Sequence, residues 1–130
     1  MGGAIVAVVL VEVINVVYYS PISRLKEASG IALPSGVRFV WQEGEHDDFL
    51  QQGYTFRAFS VPASTTTLLL EKCPTGFVKT RVGASGLWSM LQELRWRSDA
   101  SACVKRIESK YYEDIVVIAS ARMYHMHIDR

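Results

Sequence analysis

Cysteine, histidine and net charge are all scarce in this 130-residue chain, and each scarcity excludes a class of function. The two cysteines, Cys73 and Cys103, sit neither in a C-x-x-C nor beside a histidine at ligand spacing, which removes the common structural zinc sites. The formal charge is +1, and setting aside Glu12 raises it by one only. That is far from the strongly basic footprint of a nucleic-acid binder. No glycine run has the spacing that cradles a phosphate. Gly83-Ala84-Ser85-Gly86 lacks the strand–elbow–helix flanks that would make Ser85 a hydrolase nucleophile, and reads as a loop before a helix. No repeat or low-complexity tract marks an internal linker. These absences lead us to expect no cofactor, no nucleic-acid partner and no catalytic residue.

What the chain does have is a hydrophobic run at its front. Residues 4–19 carry a single charge, Glu12. As a helix they would extend about 24 Å at 1.5 Å per residue, close to the roughly 30 Å of a hydrocarbon core. Tyr18 and Tyr19 suit a membrane interface. Glu12 opposes insertion by roughly 2.5–3.5 kcal/mol. Asn15 lies three residues on, and the two share a helix face suited to a partner helix. A cleaved signal peptide is a second reading, although no Lys or Arg precedes the run and no small-x-small site follows it. A buried β segment is the third, given the β-branched content. The expectation is an uncleaved anchor over 1–20 and one extracytoplasmic domain over 21–130, in the periplasm or outside the cell. Arg24 and Lys26, just after the run, argue for the opposite orientation. Two buried thiols or one Cys73–Cys103 disulfide are both open. The even count behind an export-like segment favours the bridge.

Along the rest of the chain, Ser20-Pro21 starts a helix over 21–29, with Gly30 as its stop. Residues 37–42 and 54–61 alternate as half-buried strands around an acidic loop, 43–53. In the first, Val37, Phe39 and Trp41 share a face. Residues 64–72 read as a weak helix with a possible Ser cap, and Ser85 caps a second helix carrying Leu87, Leu91 and Leu94. Strands follow at 102–108, 114–119 and 122–128, the last two forming a hairpin about Ser120-Ala121. In that hairpin Met123, His125 and His127 face one way. The fold class expected is α+β: an N-terminal transmembrane helix, then a small antiparallel sheet packed with two or three helices.

The stretches IALPSGVRFVWQEGEHDDF and QGYTFRAFSVP, a Trp-bearing helix and the closing DIVVIASARMYHMHIDR resemble, in layout, uncharacterised small exported or membrane-anchored bacterial proteins. Where those proteins often have Gly-Asp-Gly, this chain has Gln52-Gly53-Tyr54. The resemblance implies export and an α+β layout, and no activity.

Three constellations have side chains suited to function. His125 and His127 share a strand face, and His46, with Asp47 or Asp48, could complete a His/His/carboxylate metal site if its loop closed over them. The plainer reading leaves both histidines on the solvent side of an edge strand. Glu43, Glu45, Asp47 and Asp48 could pair for acid–base work but read more simply as a solvated loop. Arg95-Trp96-Arg97 has the chemistry of an interface anchor, or of a helix end with Trp96 buried. The function expected is a membrane-tethered, non-catalytic domain that binds another protein through Glu12 and Asn15 or through Arg95, Trp96 and Arg97. An immunity protein or an accessory subunit of a membrane complex would fit. The competing class is a small metal binder or enzyme using His125 and His127.

Overall fold

The computed structural model of the chain describes residues 20–47, 52–81 and 100–129. In order these form α1 (Pro21–Ser29), β1 (Arg38–Asp47), β2 (Gln52–Ser60), α2 (Ala63–Glu71), β3 (Val78–Arg81), β4 (Ser101–Glu108), β5 (Tyr112–Ala119) and β6 (Arg122–Asp129). The strands make one six-stranded sheet in the order β1-β2-β6-β5-β4-β3, antiparallel at every pairing.

The expected architecture is corrected by this sheet. The described fold is mostly strand, with two nine-residue helices, and among the described residues no helix is long and apolar enough to cross a membrane. Residues 4–19, with Glu12 and Asn15, lie outside the described residues, as do the expected helix after Ser85 and Arg95, Trp96 and Arg97. A single-pass anchor therefore gains no support.

Cross-strand pairing accounts for much of the extra strand. The first half of the acidic loop continues β1, because Glu43 to Asp47 pair in register with Phe56 back to Gln52. Backbone pairing outweighs the poor strand propensity of acidic residues there. The register shifts between Phe39 and Trp41, a bulge that sends these two rings to opposite faces. Phe39 meets Phe59 edge-on at 5.9 Å, whereas Trp41 meets Phe56 at 5.3 Å. Strict alternation along the sequence would put them on one face. The 64–72 helix forms one residue earlier, after Pro62 and without a side-chain cap bond, so the Ser cap is not made.

Both sheet faces are buried. On one, Phe56, Ala58, Val104, Ile115, Val117 and Tyr124 pack together, with the Phe56 and Tyr124 rings stacked at 5.8 Å. The two helices lie on the other. Leu25 and Ala28 of α1 pack there on Phe59, Val116, Ile118 and Met123, and Leu69 and Leu70 of α2 pack beside them. A Cys73–Cys103 disulfide ties the end of α2 to β4 across a sequence separation of 30. In the chain-entropy account a closure of this length stabilises by about 3.6 kcal/mol.

α1 is held at both ends. Ser20 accepts from the Ser23 amide at 3.2 Å, Pro21 begins the helix, and Gly30 closes it in the left-handed region at φ 68°. Lys105 Nζ donates to the Ser29 carbonyl at 2.9 Å, serving an otherwise unpaired terminal acceptor. A Cβ at position 30 would lie 2.9 Å from that ammonium. Gly30→Ala is expected to cost about 1 kcal/mol in a urea unfolding titration, from left-handed strain and the displaced cap.

Candidate functional site

β6 is an interior strand, between β2 and β5, so His125 and His127 are not on an edge and His125 is buried. Register then decides their neighbours. Arg57 of β2 pairs with His125, and Asp114 of β5 pairs with His127. Side chains on one face of an antiparallel sheet also meet along the diagonal, which brings Asp114 within reach of His125. Asp114 Oδ1 thus lies 2.8 Å from His125 Nε2 and 2.8 Å from His127 Nδ1. His127 Nε2 is in turn 2.9 Å from Asp129 Oδ1. The four groups form a chain whose side-chain exposure rises steadily, from 3% at His125 through 14% and 29% to 37% at Asp129.

Protonation follows from the partners. Burial pushes the Asp114 carboxyl up, hydrogen bonds from His125 and His127 pull it down, and the group lies below its ordinary value. A carboxylate only accepts, so His125 Nε2 and His127 Nδ1 both donate to it. His127 faces a carboxylate from each nitrogen and can donate from both only as the imidazolium. Tyr112 stacks on that ring at 5.6 Å. The His125 Nδ1, by contrast, is buried with no hydrogen-bond partner.

Because the folded Asp114 pKa is depressed, its contribution to stability is complete above the unfolded carboxyl range near ~3.9 and is lost as pH falls through the folded value. Urea midpoints measured on acidification below about pH 5 should therefore fall, and Asp114→Asn should flatten that limb.

α1 roofs the same face with Arg24, Glu27 and Ala28, positions three and four apart on one side of the helix. Together with Arg57, Ile107, Tyr112, Asp114, His125 and His127 they line a pocket of about 390 Å³, a volume in the range of small-ligand sites. Arg57 is the cation at its floor. Its guanidinium is buried, Nε donates to Gln42 Oε1 at 3.0 Å, and a second nitrogen, NH1, is buried with no partner. Burial lowers its pKa most, the Arg24 charge lowers it further, and Asp114 works the other way.

The chain matches no family model, no curated protein and no solved structure. The site must be read from its own geometry.

Of the residues expected from sequence, the structure brings His125 and His127 together, with Asp114 as their shared carboxylate. His46 lies in β1 opposite Gly53 in register. Among the described residues no group of three His, Cys, Asp or Glu side chains could hold a metal ion. The chain of four explains this: the two ring nitrogens that converge do so on Asp114 Oδ1 and donate to it, and His127 Nε2 is turned to Asp129. Sequence reasoning missed Asp114, Arg57 and Arg24.

Proposed function

We propose that this domain is a binding module for a small oxyanion, a phosphate or carboxylate group on a compact molecule, held in the pocket between α1 and the sheet. The observation that carries the reading is Arg57: a buried guanidinium on the pocket floor with an unpartnered nitrogen and a second arginine beside it. Asp114 offsets part of its charge, but that carboxylate already accepts from two histidines. An oxyanion would supply the acceptors and the negative charge that this group lacks, through the short charge-assisted bonds arginine makes best. Ile107 and Ala28 would receive an apolar portion of the ligand. The disulfide suits an oxidising compartment, and we place the domain outside the cytoplasm on that basis.

Thermal unfolding of the full chain in phosphate, sulfate and chloride at equal ionic strength tests this. A ligand that binds only the native state raises the midpoint in a saturable, concentration-dependent way. Phosphate or sulfate is expected to do so and chloride is not. Equal shifts with all three salts would reject the pocket.

A second reading is a protein partner that adds an extended segment along β1. That strand lies at one end of the sheet, with β2 as its neighbour, and exposes Phe39 and Val40 at 43% and 42%. Unpaired strand edges are templates for such addition. A partner that co-purifies with the native chain and is lost on Val40→Pro would support it.

A further inference from the structure

His125 stands apart from the other members of the site. Its Nε2 lies 2.8 Å from Asp114 Oδ1, while Nδ1 is buried without a hydrogen-bond partner on a ring that lines the pocket; in the neutral ring that donates from Nε2, that atom is a lone pair. Its surroundings are mixed in charge. α1 brings Arg24 and Glu27, β2 brings Arg57, β5 brings Asp114 and Tyr112, and His127 lies two residues along β6, while Ile107 of β4 adds only apolar surface. A lone pair on that ring repels an oxyanion brought against it. A proton at Nδ1 reverses the sign of that contact.

Resting on that reading of the pocket, we infer that His125 is a direct contact of the bound oxyanion and meets it as an imidazolium, so that binding takes up one proton. The free ring is the Nε2–H tautomer. On binding, Nδ1 accepts a proton from solvent, or from the ligand when the ligand carries one, and donates it to an oxyanion oxygen. Nothing else is bonded or broken. Asp114 holds the opposite nitrogen and stabilises the positive ring, as a carboxylate behind a histidine does in acid–base dyads. Arg57 and His125 are direct cross-strand partners, so both side chains leave the same face of the sheet and line one pocket. Both unpartnered nitrogens are covered as the pocket stands, and seating the anion on them requires a side-chain adjustment at its floor. The ligand class sharpens accordingly. It is an oxyanion favoured at mildly acidic pH, with a dihydrogen phosphate monoanion able to bring the proton itself and remain as the dianion.

Calorimetry of the full chain with sulfate separates the possibilities, because sulfate carries no proton of its own between pH 6 and 8. Titrations at one pH in two buffers of different ionisation enthalpy should give enthalpies that differ by about one buffer ionisation. The affinity should fall as pH rises, by up to about tenfold for each pH unit, the slope of a one-proton uptake. In wild-type protein the His125 Nδ1 signal should move from the lone-pair to the N–H range of ring nitrogen shifts at saturation. His125→Gln should bind with no buffer dependence. Binding with equal enthalpies in both buffers, a buffer dependence that survives His125→Gln, or an unmoved Nδ1 signal would overturn the inference while leaving the pocket in place. An absence of binding by both sulfate and phosphate would overturn the pocket, and the inference with it.

Discussion

Replacing Asp114 with alanine is expected to lower the unfolding free energy by about 3 kcal/mol. The carboxylate accepts from two histidines on β6 and opposes the charge of Arg57 on β2, so its loss acts on three groups at once. His127 is partly exposed and water can replace its partner. His125 is buried, and its Nε2–H would join Nδ1 as a second polar atom with no bond. Leaving a buried donor unmet costs ~1–3 kcal/mol, and leaving a buried cation less compensated adds to this. Asp114→Asn keeps one acceptor oxygen and should lose less than half as much. Urea titrations at neutral pH decide the matter: the midpoint should fall with little change in slope. A loss below about 0.5 kcal/mol would mean that the four-residue chain is a surface ion-pair array of little energetic weight.

Arg57→Met is expected to behave in the opposite manner, with little effect on stability and a large one on binding. Methionine fills most of the stem volume and removes a guanidinium whose neighbour Arg24 repels it. Gln42, left without its donor, is exposed and takes water instead. The unfolding free energy should therefore change by less than about 1 kcal/mol, and a buried charge replaced by an apolar group can even stabilise. Phosphate affinity, in contrast, should weaken by about 100-fold, ~2.7 kcal/mol, the loss of one or two charge-assisted hydrogen bonds. Isothermal titration of wild type and variant, paired with their urea curves, measures both halves. A variant that binds phosphate as tightly as wild type would remove Arg57 from the site.

Much of this arrangement is local enough to be legible in the sequence. Ser20, Pro21 and Gly30 bound α1 because capping and left-handed closure depend on the residues at the ends themselves. The Ser120-Ala121 turn sets the β5–β6 register, since pairs counted outward from it place Asp114 opposite His127. That count needs only the turn and the two strands the sequence predicts, so the histidine–aspartate chain was within reach of sequence reasoning. Arg57 was not. Its place beside His125 depends on β2 pairing with β6, a contact between segments about seventy residues apart that alternation cannot specify. The bulge at Val40 is similar: a strand that reads as regular changes face because of its partner's register. The acidic loop misled for a related reason, since its composition is that of a solvated loop and its first half pairs as strand.

The most direct measurement is a phosphate titration of the full chain followed through its guanidinium and imidazole nitrogens. The Arg57 Nε–H and the His125 ring signals should shift together, saturably and with a single dissociation constant. Backbone amides of β3, at the far edge of the sheet, should stay in place. Linear shifts of similar size at arginines across the surface, with Arg57 and His125 no different from the rest, would contradict an oxyanion site between α1 and the sheet.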